Sequence, residues 1–162
     1  TKDGKDGVQV HITNTSNLPV ESIEMEYPLM VHSYRLIEGS GGAGCHRGGL
    51  GLERIIEPIN HECIFNGAGE RFAHRPWGIF GGAPGTSGEF LKTDRNGIQT
   101  RLPNKPIGVN VNEKETVIMR TPGAGGYGPA KDRSDEDLAE DATSEKFTKQ
   151  FLRSNYPQWS EN

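Results

Sequence analysis

The sequence predicts a mainly β fold, a sandwich or barrel-like sheet with glycine-rich loops, followed by a short C-terminal helical segment. Three observations carry this. Between residues 30 and 121, short β-branched or aromatic runs alternate with glycine and proline, the punctuation of an antiparallel sheet. Glycines collect in three blocks, 40–51 with six in twelve residues, 78–85 and 122–129. Glycine is entropically expensive to order, and it is used where the chain needs positive φ or very close backbone approach. After the last block the spacing turns helical, with Phe147, Phe151, Leu152 and Tyr156 on one face.

The elements follow in order. Residues 1–7 are polar and turn-rich and read as a linker from upstream sequence. Residues 8–12 alternate as a half-buried strand. Asn17 is placed to cap a short helix with Pro19 just inside its start, Val20, Ile23 and Met25 on its apolar side, and Pro28 at its end. Strands are expected over 30–37, 52–57 and 62–66. Asn96-Gly97 suits a type I′ hairpin joining 89–93 to 98–102. A second hairpin is expected to pair Ile107, Val109 and Val111 with Val117 and Met119 around 112–114. Ser134-x-x-Asp137 resembles a capping box, and Ser144 is placed to cap the last helix, whose apolar stripe packs on the sheet or on a partner. The organisation is thus a linker (1–7), a β-rich domain (8–130), a helical segment (131–156) and a tail (157–162).

Composition bounds the function. At 162 residues the chain is long enough for one domain with a core. Only 32% of it is apolar, with 22 glycines and 10 prolines, so docking on a larger partner would supply missing burial. A net charge of −4 gives no basic surface for nucleic acid or anionic lipid, and no apolar run approaches the ~20 residues of a membrane span. Cys45 and Cys63 are too few for a disulfide framework, which points to a reducing cytoplasm. Thr1 in the place of an initiator methionine fits a processed or excised chain.

The motifs yield little catalytic machinery. Glycine blocks can form anion-binding nests, but 40–51 lies between two expected strands and lacks the Gly-Lys-Ser/Thr ending of a P-loop. Cys45, His46, His61, Cys63 and His74 have no zinc-ligand spacing, so no metal is assigned. Thr1 lacks the strand that an N-terminal nucleophile needs, and Ser40 lacks the spacing of a nucleophile elbow. The catalytic residues stay unknown. The polar set beside the glycine and proline motifs is His11, Asn14, Glu21, Arg47, Arg71 and Arg75, candidates for lining a site or an interface. A network of structural ion pairs is the competing reading for the same residues. Gly41, Gly42, Gly44, Gly48, Gly49, Gly81, Gly82, Gly125 and Gly126 are the expected loop-forming residues.

The order Asn14-Thr15-x-x-x-Pro19-x-Glu21, Glu26-Tyr27-Pro28-Leu29, the Ser40-Gly41-Gly42-Ala43-Gly44 block with Arg47-Gly48-Gly49-Leu50-Gly51, Pro76-Trp77-Gly78 with Gly81-Gly82, and Thr121-Pro122 with Gly126-Tyr127-Gly128 resembles the C-terminal part of the hydantoinase B/5-oxoprolinase family. The resemblance runs from about Gly7 to about Tyr156. It implies a segment of the B-type subunit of an ATP-dependent hydrolase of cyclic amides, one that helps to shape the ring-opening site and the subunit interface and is inactive alone. It further implies, as partners, the remainder of the B-type subunit, an A-type ATP-using subunit and a small-molecule substrate. No cofactor is expected on this chain, because ATP and the divalent metal belong to other parts of the complex. Two alternatives stay open: the corresponding segment of an ATP-dependent ketone carboxylase, and a noncatalytic scaffold.

Overall fold

The structure, a computed structural model, describes residues 2–8 and 16–160. The strand expected over 8–12 lies outside them apart from Val8, as do Thr1, His11 and Asn14. Among the described residues, seven strands form two open sheets, both antiparallel. β1 (Leu29–Leu36), β2 (Leu52–Pro58), β4 (Glu89–Thr93), β5 (Gln99–Arg101) and β7 (Thr116–Arg120) make a five-stranded sheet ordered β1-β2-β7-β4-β5. β3 (Cys63–Phe65) and β6 (Val109–Val111) make a second, two-stranded sheet. Phe65 and Phe72 meet Phe90 of β4 at ring-centroid distances of 5.4 and 4.7 Å, joining the small sheet and the loop after it to one face of the large sheet. In the large sheet Ile55, Ile118 and Leu91 share one cross-strand row, and Ile56 and Val117 the next. Such side-chain rows are what fixes register.

Two hairpin expectations are corrected. β4 and β5 are joined as foreseen, but only Gly97 has positive φ, at 80°. Asp94 Oδ1 accepts from the backbone N–H of Asn96 and Ile98, and Asp94 pairs with Ile98 in the backbone. The loop is therefore three residues long, with the glycine in the left-handed position, instead of a two-residue type I′ turn. The second hairpin does not form. β6 pairs with β3, while β7 lies between β2 and β4. Residues 112–115 do turn the chain, with Lys114 at φ 66° and Glu115 accepting from the Asn112 N–H. The turn passes the chain from one sheet to the other.

The helices are short. α1 (Val20–Glu26) has Pro19 at its N-cap position and no side-chain cap. Asn17 instead donates Nδ2–H to the Tyr34 hydroxyl at 2.7 Å. Ile23 is buried but Met25 is 87% exposed, because residues two apart on a helix do not share a face. α2 (Asp135–Thr143) is capped by Ser134, which accepts from the Asp137 N–H. α3 (Lys149–Asn155) is capped by Thr148, and Ser144, expected in that role, closes α2. Glu145 at φ 58° ends α2, since a left-handed residue past the last turn cannot continue the helix.

The main core does not lie on the large sheet. Leu138, Phe147, Leu152 and Tyr156 of the helical segment pack on Ala43 and Leu50 of the first glycine block, each large side chain contributing about 1.5–3 kcal/mol by leaving water. The stripe read from the sequence is thus a packing face. Beneath it the glycine blocks form a layer of interlocked backbone. Gly42 donates its N–H to Ala124 O, Ala124 to Gly49 O, Gly48 to Gly42 O, Ala83 to Ala43 O and Gly126 to Ala83 O, all at 2.7–2.9 Å. A Cβ at Gly42 would fall on the Ala83 carbonyl oxygen, and one at Gly126 on that of Ala43. Gly41, Gly44, Gly48, Gly49, Gly82 and Gly125 likewise face backbone atoms too closely for a side chain. Of the nine loop glycines named from the sequence, Gly81 alone has positive φ, at 93°. Close approach explains the others.

Candidate functional site

The four polar candidates among the described residues do not converge. Glu21 stands exposed in the first turn of α1. Arg71, at φ 60°, lays its guanidinium over the Trp77 ring, 4.2 Å from the centroid. Arg75 donates Nε–H to Gly85 O at 2.8 Å, bracing the second glycine block. Arg47 alone enters a dense polar cluster, and its partners are far from it on either side in the sequence.

That cluster joins residues 3–6, the glycine layer and α2. Arg47 Nε donates to Asp141 Oδ1 at 3.0 Å and Nη1 to Asp6 Oδ1 at 3.1 Å. Arg133 grips Asp3 with two parallel hydrogen bonds of 2.9 and 2.8 Å, the fork geometry that a guanidinium offers a carboxylate. Its Nη2 also lies 2.8 Å from Asp141 Oδ2 as an ion contact. Residues 2–7, polar enough to read as a linker, are held by this cluster and by Gly4 and Gly7 N–H bonds to Arg47 O and Leu50 O. Burial alone would raise Asp3, but the hydrogen bonds and charge of Arg133 hold it below its ordinary 3.8. Burial acts on Asp6 in the same way and is outweighed by the Leu50 N–H, Lys146 and Arg47. In Asp141, burial wins over both arginines and the carboxyl is pushed up. Burial would lower Arg133, yet Asp3 and Asp141 carry it above its ordinary value. Arg47 and Arg133 are 8% and 3% exposed, so the cluster is a buried clasp and not a surface open to substrate.

An open cleft of about 370 Å³ lies where the large sheet meets the glycine layer, lined by Arg35, Glu38, Glu53, Thr86, Glu89 and Arg120 among others. Across its floor Arg35, Glu53, Arg120 and Glu89 stand opposite one another on β1, β2, β7 and β4, making a ladder of alternating charge. Arg35 Nε and Arg120 Nε donate to the two oxygens of Glu53 at 2.9 and 2.8 Å, and Arg120 Nη1 donates to Glu89 at 2.7 Å. Burial would raise Glu53, but the hydrogen bonds of Arg120 and Arg35 hold it below its ordinary 4.5. It is ionised at neutral pH and, buried between them, fixes Arg35 and Arg120 at the cleft instead of donating a proton. The sequence reading missed these four residues. Arg35, Glu53 and Glu89 are charges inside expected strands and Arg120 follows the expected Val117 and Met119 arm, but only the strand order puts them in one row.

The amides that a phosphate would need, including those of Gly42, Gly48 and Gly126, are donated to backbone carbonyls. Gly51 N–H goes to Ser40 Oγ. Among the described residues no three His, Cys, Asp or Glu side chains gather as metal ligands. Burial pushes the Cys63 thiol up, which makes it a poor nucleophile. Among the described residues, no helix is long and apolar enough to cross a membrane.

A family model described as hydantoinase B/oxoprolinase matches residues 1–130. The chain belongs to that family. It is 38% identical over 128 residues to 5-oxoprolinase 1 of Arabidopsis thaliana, covering 79% of this chain and 10% of that protein. It is 30% identical over 150 residues to a putative B-type subunit of a D-/L-hydantoinase from a Pseudomonas species, covering 92% of this chain and 25% of the relative. Nucleotide-free acetone carboxylase shares the fold, with a TM-score of 0.75 at 20% identity over 96% of this chain and 25% of its own. The chain thus spans about a quarter or less of the length of these relatives. The match takes in the glycine layer and the cleft, while α2 and α3 lie beyond it.

Proposed function

We propose that this chain is the segment of a B-type subunit, in an ATP-dependent cyclic-amide hydrolase of the hydantoinase or oxoprolinase type, that helps to shape the ring-opening site and the subunit interface. The observation that carries this reading is the family match over residues 1–130, which includes the whole lining of the charged cleft. Resonance makes an amide carbonyl a poor electrophile. On an A-type partner, ATP with a divalent cation would phosphorylate the amide oxygen and release ADP, which would open the ring carbon to water; the ring C–N bond would then break and the acyl phosphate so formed would hydrolyse to phosphate. This chain contributes walls: the cleft presents fixed charges and the hydroxyls of Thr86 and Ser87 to a polar ligand, and the Arg47–Arg133 clasp keeps the adjoining backbone rigid. The free thiols of Cys45 and Cys63 support a cytoplasmic assembly, in which they would stay reduced.

The shared fold with acetone carboxylase supports a second reading, in which an enolate attacks the activated species in place of water. The test is reconstitution of the chain with the rest of a B-type subunit and an A-type subunit, supplied with ATP and magnesium. Ring opening of 5-oxoproline or hydantoin, absent from the chain alone, is the expected result. Fixation of labelled bicarbonate onto acetone without ring opening would replace the hydrolase reading, and turnover by the isolated chain would overturn the division of labour.

A further inference from the structure

The second glycine block carries side chains that neither the layer nor the cleft uses. Trp77, Ile79 and Phe80 are 64, 48 and 76% exposed, and Tyr127 beside them is 41% exposed. They form one surface: the Phe80 and Tyr127 rings are 5.3 Å apart, Ile79 bridges to Tyr127 in the backbone, and Arg71 covers Trp77. The surface is rigidly held. Ile79 O accepts from Gly82 N and Gly128 N, and Ile79 N donates to Gly126 O, each at 3.0 Å. Phe80 adopts φ 52°, a left-handed conformation that a bulky residue avoids unless surrounding contacts enforce it. The fold thus uses an unfavourable backbone to hold an aromatic ring in water.

We infer that this aromatic face is the docking surface for the remainder of the B-type subunit, which meets it with an apolar face and places a carboxylate opposite Arg71. The inference rests on the proposed function. Two observations select the occupant. This chain covers only 10 and 25% of the 5-oxoprolinase and hydantoinase relatives, so the rest of such a protein adds several times this chain's mass to the same assembly. The surface is also locally cationic on a chain of net charge −4, because Arg71 lies on Trp77 and Arg75 is two residues away. Exposed aromatics beside an arginine are the composition of interface hot spots.

Hydroxyl-radical footprinting of the assembled B-type protein, read by mass spectrometry against this chain by itself, tests the assignment. Trp77, Phe80 and Tyr127 are expected to lose most of their labelling on assembly. Phe80→Gly separates docking from folding, because glycine relieves the left-handed strain. The variant is expected to melt no lower than the parent chain, yet to bind the rest of the B-type protein about tenfold more weakly. Full labelling of the three aromatics in an intact assembly overturns the docking surface and leaves the proposed function standing. Failure of the two parts to associate at all overturns both. Concentration-dependent protection in the chain alone assigns the surface to a second copy and likewise overturns the inference.

Discussion

The five-stranded sheet and the glycine layer solve the same problem, joining distant segments of one chain, by opposite means. In the sheet, register is specified by what the side chains do. Ile55, Ile118 and Leu91 share a row, and Arg35, Glu53, Arg120 and Glu89 form a charged ladder beside it. In the layer, specification comes from having no side chain, because backbones approach where a Cβ would strike a carbonyl. The sheet can trade one apolar residue for another at modest cost, and the layer has almost nothing to trade. Its own contribution to the core is limited to small patches such as Ala43 and Leu50, so much of its stability is borrowed from the helical segment above it and from the arginine clasp at its side.

The largest expected effect comes from breaking the clasp. Arg133→Met takes from Asp3 its bidentate partner and leaves Asp141 with Arg47 alone, and should destabilise the chain by about 3–5 kcal/mol in chemical denaturation, as for other buried pairs that lose one partner. Hydrogen exchange should show protection lost first at layer amides such as Gly42 and Gly126 while β2 and β7 retain theirs. Uniform loss across both regions would mean that they are one cooperative unit. Next comes Gly126→Ala, expected to cost about 1–3 kcal/mol or more as overpacking against the Ala43 carbonyl. A cost below that of Gly97→Ala, where the added Cβ meets nothing within 4 Å, would refute close approach as the reason for the layer's composition.

Acid should separate the groups within the layer. Asp3 and Asp6 are held below their ordinary 3.8, so the unfolded chain binds more protons than the folded one as pH falls below about 4, and stability is lost there. Asp141 is raised and has the opposite sign: its contribution is complete below 3.8 and is lost as pH rises through its folded value. The thermal midpoint is therefore expected to pass through a maximum on the acid side of neutrality, above pH 4, before it falls. Asp141→Asn should remove that maximum, and a melting profile in which the maximum survives the substitution would discard this assignment. The smallest effect belongs to the sheet. Ile118→Val, at 3% exposure, should cost about 0.5–1.5 kcal/mol without changing exchange in the layer.

Local chemistry was legible in the sequence and long-range pairing was not. The short run over 89–93 and the Asn96-Gly97 reversal are short-range signals, and β4 and β5 appear where they point. The turn at 112–115 is equally visible, yet turn chemistry says only that the chain changes direction, so the sequence points β6 at β7 while its partner is β3. Arg47 was singled out from its place in the densest glycine block. Its partners Asp6 and Asp141 lie 41 and 94 residues away, beyond any spacing rule. The charged ladder escaped for the same reason. Glycine density announced an unusual backbone, but positive φ and close approach leave the same letter in the sequence, and only the packed structure tells them apart.

The clasp also has a consequence in time. Asp3 leaves the ribosome well before its partner Arg133, which emerges 130 residues later, with Asp141 later still. At about 5–20 residues per second the segment around Asp3 waits for several seconds without its place in the layer. Structures that depend on such separated contacts close slowly, because the chain must surrender its freedom before those contacts form. The local β4–β5 hairpin can assemble during synthesis; the glycine layer is completed only after translation has passed α2. A nascent chain stalled before Arg133 should accordingly remain open to protease around Asp3 and Asp6, however well its hairpins have formed.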